Sequence, residues 1–236
     1  FQKYVKERFD LQDCIAVNNG TSALIAPLWS LDLKQGDEVI TTPFTFIATA
    51  NAIVIAGATP VFVDIDPATL LIDPDKINKI ANHHGLPVIE DTAQAFGAQY
   101  HSGRYAGMLG DAGTFSFYKT KNISTFEGGM ICIPKNSILD SDKIRSICDQ
   151  GQVGKYNHEY IGFNFRLAEP LCLMALEQMK IHMTGITAEL GLRGPEQGHY
   201  PEVVYNQPAY KRKGITGNCP IAEKISKEIA AGDYKS

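Results

Sequence analysis

At 236 residues, 44% of them hydrophobic, the chain can bury a sizeable core, which excludes a disordered or low-complexity segment. A formal net charge of −4, with no dense Lys or Arg runs, excludes a general nucleic-acid or membrane-surface binder and leaves small-molecule partners. The five cysteines, Cys14, Cys132, Cys148, Cys172 and Cys219, show no CxxC or metal spacing, and their odd number predicts free thiols in a reducing compartment, the cytoplasm.

The opening "FQKYVKERFD" is no signal peptide and reads as the middle of an amphipathic helix, so the chain is expected to begin inside a longer protein. No apolar run reaches the roughly 20 residues that span a bilayer. "CIAVNNGTSALIAPLWSL" predicts a short strand, a turn at Asn18 to Gly20, and a helix with Leu24, Ile25, Leu28 and Leu31 on one face. A strand follows at Glu38 to Thr41, then a small-residue helix around Phe46 to Ala56 ended by Gly57, then a strand at Pro60 to Asp64. "DPDKINKIANHHG" predicts a helix stopped at Gly85, and Pro87 to Glu90 a further strand. "GTFSFYKTK" and "GGMICI" read as strands, and "SDKIRSICDQG" as a helix capped by Ser141 and stopped by Gly151. "PLCLMALEQMKI" and "CPIAEKISKEIAAG" are helical, with a breaker-rich stretch between them.

Strands alternating with helices predict an α/β fold, a three-layer α/β/α arrangement with a mostly parallel sheet covered on both faces. Ligands in such sheets collect at the carboxyl ends of the strands. A domain boundary is expected between Met179 and Gly191, dividing the chain into 1–180, a large cofactor-binding domain, and 181–236, part of a smaller C-terminal one.

Three short words carry candidate chemistry. "NNGTSAL" places Gly20, Thr21 and Ser22 at a helix start, where free backbone N–H groups favour a phosphate, although Thr and Ser suit an N-cap equally well. "PVIEDTAQAFGA" ends a strand with Glu90 and Asp91 and offers Gln94 one turn later on the same side. A carboxylate at the inner end of a parallel strand needs a partner. For Asp91 that is either the start of a following helix or the protonated ring nitrogen of a ligand, with Gln94 on a neighbouring oxygen.

"FSFYKTKN" alternates Phe115 and Phe117 against Ser116 and Tyr118, then delivers Lys119 and Lys121. A desolvated lysine can form an imine with a carbonyl, whereas lysines at a strand edge also serve to block edge pairing. Spacing does not choose between the two. A phosphate cradle, an acidic partner for a ring nitrogen and an imine-forming lysine, in this order, are the requirements of pyridoxal phosphate.

"NNGTSAL", "TTPFTFIATANAIVIAGATPVFVDID", "GLPVIEDTAQAFGA", "GDAGTFSFYKTKNISTFEGGM" and "HEYIGFNFRLAEPLCLMALEQM" together resemble the DegT/DnrJ/EryC1/StrS family, sugar aminotransferases with the type I fold of pyridoxal phosphate enzymes. The resemblance runs from about Phe1 to Ile181 and returns in "NQPAYKRKG" and "CPIAEKISKEI". It implies that Lys121, before Asn in the "S-F-x-x-T-K-N" word, carries the cofactor, in preference to Lys119. It further implies Asp91 on the pyridinium nitrogen, Gln94 at the 3-hydroxyl and Phe46 stacked on the ring. Ser116, Thr21 and the Gly20 to Ser22 amides would hold the phosphate. Asn164, and less directly Arg166, in "GFNFR" would complete that site from a second subunit, making an active homodimer with shared sites. His158 is expected to be an ordinary surface or core histidine, with contact to substrate or phosphate at the subunit boundary as the alternative.

The implied reaction is amination of a nucleotide-linked keto sugar, with L-glutamate as amino donor. Family members that dehydrate a sugar carry histidine in place of the lysine, which Lys121 counts against; others make an aromatic amino acid. A non-catalytic sensor or partner-binding protein that kept the fold is the remaining alternative. The pattern departs from the family between "DPDKI" and "NKIANHHG", where another strand and helix are normally found, and a comparable gap follows Ile181. Lys119 stands where the family often has proline.

Overall fold

In the computed structural model, residues 1–100, 102–182 and 200–232 are described. They form two compact units, one of Phe1–Asp32 with Gly85–Leu190 and the other of Leu33–His84 with Gly191–Ser236. This grouping cuts the chain differently from the expected 1–180 and 181–236. The boundary expected between Met179 and Gly191 falls mostly outside the described residues.

The first unit is built on one sheet. Helix α1 (Gln2–Arg8) leads into strand β1 (Leu11–Val17), which turns at Asn18 into helix α2 (Gly20–Ser30). The second unit contributes β2 (Glu38–Thr41), α3 (Ile47–Ile55), β3 (Thr59–Phe62) and α4 (Pro74–His84). The chain then returns to the first unit with β4 (Ile89–Asp91), β5 (Ala112–Ser116), β6 (Gly129–Pro134) and α5 (Ser141–Cys148). A small hairpin, β7 (Gln152–Gly154) and β8 (Asn157–His158), precedes α6 (Glu169–His182). Pro170 sits in the first turn of α6, where its missing N–H has no helical partner to lose.

Strand order in the main sheet is β1-β6-β5-β4. The pairing is mixed, where the sequence predicted mostly parallel strands: β4–β5 is parallel, while β5–β6 and β1–β6 are antiparallel. The reason is the connection. No helix intervenes between β5 and β6, and a strand can return to lie parallel only through a crossover long enough to span the sheet. The loop 117–128 therefore makes a hairpin.

The three-layer expectation holds through side-chain alternation. On β6, Met130 and Cys132 pack with Val5 of α1, Phe115, Phe117, Ile123 and Met179 of α6. Ile131 and Ile133 face the other way, onto Ala23 and Ala26 of α2 and Ile144 and Ile147 of α5. A strand that buries both faces reads as a continuous apolar run, as "GMICI" does. The N-cap of α5 is Asp140, one residue before the expected Ser141; its carboxylate accepts from the Asp142 and Lys143 amides, both at 3.0 Å. After α5, Gly151 is required by contact: a Cβ there would lie 1.7 Å from Tyr160 O.

In the second unit β2 and β3 form a parallel pair across α3, with Glu38 opposite Thr59 and Thr41 opposite Phe62. Helices α7 (Pro208–Arg212) and α8 (Pro220–Ala231) join this unit. Phe44 and Ile65 share a core with Val203, Tyr205, Cys219, Ala222, Ile225 and Ile229. The Asp64 carboxylate caps α8, accepting from the Ile221 (2.8 Å) and Ala222 (2.9 Å) amides. This shared core and cap account for grouping 33–84 with the C-terminal residues. The stretch "DPDKINKIANHHG" runs as one continuous helix, α4, through the point where the family pattern has a further strand and helix.

Candidate functional site

Side chains on β4 and β5 alternate between the two faces, and Ile89 and Ala112 both pack in the cluster that contains α2. By the same alternation Asp91 and Ser116 project toward the α2 face, near the carboxyl ends of their strands. The start of α2 is close by. A Cβ on Gly20 would meet Ser116 Cβ at 2.8 Å, so only glycine lets the helix start approach the strand this closely.

The N-cap of α2 is Asn19, whose Oδ1 accepts from the Ser22 amide at 2.8 Å. Neither Thr21 nor Ser22 serves as the cap. The readings offered for this turn thus divide between residues: Asn19 caps, and the Gly20 and Thr21 amides are the ones helix geometry leaves without an i−4 acceptor. Ser22 is buried, with its amide already engaged. A helix start with two such amides, beside the Ser116 hydroxyl, suits an anion.

The two lysines differ. Lys119 is exposed, its ammonium 5.7 Å from the centre of the Tyr118 ring. Lys121 is half-buried in a turn closed by its own amide on Tyr118 O (2.8 Å). Burial lowers the pKa of the Lys121 amine, and the opposing pull comes from the Asp91 carboxylate, which favours the ammonium. Lys121 thus lies within the electrostatic reach of Asp91.

Asp91 itself is exposed, and its Oδ1 accepts from the Ala93 amide at 3.2 Å. Successive turns, not a helix, follow it, with Ala95 N–H on Thr92 O and Ala98 N–H on Ala95 O. Gln94 is exposed on the first of these turns. The carboxylate at this strand end that is ringed by donors is its neighbour. Glu90 accepts from Leu109 N (2.6 Å), Gly110 N (2.8 Å), Gly107 N (3.0 Å) and the Tyr100 hydroxyl (3.3 Å). Burial, then the Glu90 charge, raises Tyr100 to about 12.

Threonines lock the segment that carries Asp91. Thr114 donates through Oγ1 to Glu90 O (3.0 Å), and Thr114 O receives both the amide (3.0 Å) and hydroxyl (2.9 Å) of Thr92. Asn164 is exposed, and its carbonyl accepts from Asn18 Nδ2 at 3.4 Å, with Asn18 N–H on Phe165 O at 2.7 Å. "GFNFR" therefore lies alongside the turn that leads into α2 in its own chain. Arg166 pairs with Asp149, and His158 places Nδ1 3.0 Å from Gln150 O. Phe46 lies in the second unit at the N-cap position of α3, 63% exposed.

Sequence reasoning missed the Asn19 cap, the four donors around Glu90, and the Thr92–Thr114 lock. Alternation on β4 signalled that Glu90 and Asp91 face opposite sides. Which side meets amide donors depends on residues 107–110, which are distant in sequence. Among the described residues no cluster of His, Cys, Asp and Glu could hold a metal ion, and no helix is long and apolar enough to cross a membrane.

An α/β scaffold with a half-buried lysine, a carboxylate and the start of a helix near its strand ends is consistent with the fold of the type I pyridoxal phosphate enzymes. The chain belongs to the DegT/DnrJ/EryC1/StrS aminotransferase family, which it matches over residues 1–80 and 75–188. Those two stretches meet within α4, the point where the family pattern is interrupted.

Among relatives, the chain is 42% identical over 182 residues to a pleiotropic regulatory protein of Geobacillus stearothermophilus, covering 66% of this chain and 48% of that one. It is 36% identical over 208 residues to the GDP-perosamine synthase of Caulobacter vibrioides, covering 76% and 55%. The chain thus spans about half the length of these relatives. A DegT/DnrJ/EryC1/StrS aminotransferase from Brucella abortus has the same fold, with a TM-score of 0.78 at 23% identity over 94% of this chain and 80% of that one.

Proposed function

We propose that the chain is the cofactor-binding part of a pyridoxal phosphate-dependent aminotransferase that converts a nucleotide-linked keto sugar to an amino sugar. The observation that carries this reading is the contrast between the lysines. Lys121 has a pKa lowered by burial and sits within the field of Asp91, while Lys119 stands in water. A catalytic amine must spend part of its time neutral at working pH, and desolvation achieves that.

The residues present fit the cofactor. Glycine at position 20 lets the start of α2 approach Ser116 so closely that a Cβ would collide with it, which sets the Gly20 and Thr21 amides beside the serine hydroxyl. The Gly20 and Thr21 amides with the Ser116 hydroxyl would hold the phosphate, and Asp91 would face the ring nitrogen, with Gln94 on the neighbouring ring oxygen. Pyridoxal phosphate, when bound, supplies an electron sink for the carbon that carries the amino group. Lys121 Nζ would bind the cofactor covalently at rest and, once released, carry a proton to and from that carbon.

The GDP-perosamine synthase relative supports a nucleotide sugar as substrate. Glutamate as donor, a homodimer in which Asn164 completes the partner's site, and a cytoplasmic location belong to the same proposal. The test is borohydride reduction of the chain with pyridoxal phosphate, followed by peptide mass spectrometry. A pyridoxyl adduct is expected on Lys121; an adduct confined to Lys119 would overturn the assignment. Formation of 2-oxoglutarate from glutamate with keto-sugar nucleotides tests the reaction.

The regulatory name of the Geobacillus stearothermophilus relative favours one second reading, a sensor on the same fold. Failure of Lys121 to take the cofactor would support it.

A further inference from the structure

The loop that carries Lys121 is held from a distance. Residues 117–128 join β5 to β6, and the base of the loop is closed by Phe117 N–H on Gly128 O (2.8 Å) and Thr125 N–H on Phe117 O (2.9 Å). The Thr125 hydroxyl, fully buried, donates to Glu127 O at 2.7 Å. Ile123, 1% exposed, plugs the loop into the core beside Met179.

One side chain outside the loop grips its backbone. Gln178 on α6 accepts the Ser124 amide at Oε1 (3.0 Å) and donates from Nε2 to Ser124 O (2.5 Å). The carboxamide thus pairs with the whole of residue 124 as a neighbouring strand would. Two hydrogen bonds on one residue, to the N–H of one peptide and the C=O of the next, fix orientation as well as distance. Water could satisfy the same backbone groups without ordering a glutamine side chain, so the pairing has a purpose where the position of the loop matters.

We propose that Gln178 is a positioning residue for Lys121: gripping residue 124 from α6 keeps the loop closed and its amine in the half-buried setting that lets it carry a carbonyl cofactor. The inference rests on the function proposed above. Among the described residues Asp91 acts on the amine from the end of β4, Lys119 and Glu127 on the same loop are exposed, and on α6 Glu177 is paired with Lys180 at 2.7 Å. Neutral Gln178 therefore acts on Lys121 through loop geometry and burial rather than through charge.

The experiment compares the wild-type chain with Gln178→Met, which keeps length and volume and removes both hydrogen bonds. Trace acetylation with acetic anhydride across pH, read at Lys121 by mass spectrometry, reports the amine without any cofactor. Gln178→Met is expected to move the Lys121 midpoint upward by about one pH unit, a roughly tenfold loss of labelling at a fixed pH below it. Lys119 labelling and the Glu177→Gln control should follow wild type.

A purely structural glutamine would lower the melting temperature and leave the Lys121 profile unmoved; that result overturns the proposal. An ordinary lysine profile in wild type overturns it as well. Gln178→Ala removes the same two bonds and substitutes should Gln178→Met fail to fold. Pyridoxal phosphate with borohydride separates the two readings. No adduct on wild-type Lys121 sinks the function, whereas a wild-type adduct with unchanged acetylation in the variant sinks only the role of Gln178.

Discussion

Replacing Gly20 with alanine tests how closely the anion cradle is built. The new Cβ would meet Ser116 Cβ at 2.8 Å, Oγ at 3.2 Å and Cα at 3.4 Å. Rotating the serine side chain relieves only the Oγ contact, because Cβ stays where the backbone puts it. Nor can β5 retreat freely: Ser116 is in register with Gly129, where a Cβ would in turn meet Asn19 O at 2.5 Å. Overpacking a tight site costs about 1–3 kcal/mol, and the gain in helix propensity from glycine to alanine is at most about 1 kcal/mol. Because the clash is between backbone-fixed Cβ atoms it lies at the upper part of that range, about 2–3 kcal/mol, and the net loss of about 1–2 kcal/mol lowers the melting temperature by roughly 2–8 °C for a chain of this size. Adding Ser116→Gly removes the opposing Cβ. Urea unfolding of the two single variants and the double variant should give a coupling energy of about 1–2 kcal/mol, above the ~0.5 kcal/mol seen between independent sites. Strictly additive losses, or a Gly20→Ala chain as stable as wild type, would refute the close approach.

Asp91→Asn removes a carboxylate charge that favours the Lys121 ammonium, so the Lys121 midpoint in pH-dependent acetylation should fall below its wild-type position. Lys121→Met should abolish covalent cofactor binding yet leave the cofactor-free fold as stable or more so at neutral pH. The folded state depresses this lysine below its ordinary value of 10.5, so it binds fewer protons there than the unfolded chain, and the wild type gains stability as pH rises. The advantage of the variant in thermal melts should therefore shrink toward pH 10.5. Glu90→Gln puts an amide where carboxylate oxygens accept three backbone N–H groups and the Tyr100 hydroxyl, and should cost about 1–3 kcal/mol in denaturant unfolding. Spectrophotometric titration of the same variant should show Tyr100 shifted down from about 12, since the Glu90 charge helps to raise it.

Much of this molecule is readable from local pattern. β2 occupies the expected Glu38–Thr41, and α4 ends at the expected glycine, because alternation, helical spacing and left-handed glycines act over a few residues. Strand direction was less legible. The apolar runs of β5 and β6 look alike whether paired parallel or antiparallel, and the helix-free loop between them makes the difference. Glu90 and Asp91 are adjacent and chemically alike. Their separation into a four-donor structural carboxylate and an exposed one depends on amides at 107–110 that fold back from beyond β4.

The chemical inventory, a lysine after a strand, a carboxylate after another and a glycine at a helix start, was present in the order of residues, because amino-acid type and short-range spacing encode it. Which lysine loses water, which carboxylate is enclosed and what holds the lysine loop in place came from folding. Those properties are set by desolvation and by partners far off in the chain, such as Gln178 on Ser124. Burial and long-range hydrogen bonds exist only once the strands and helices have packed.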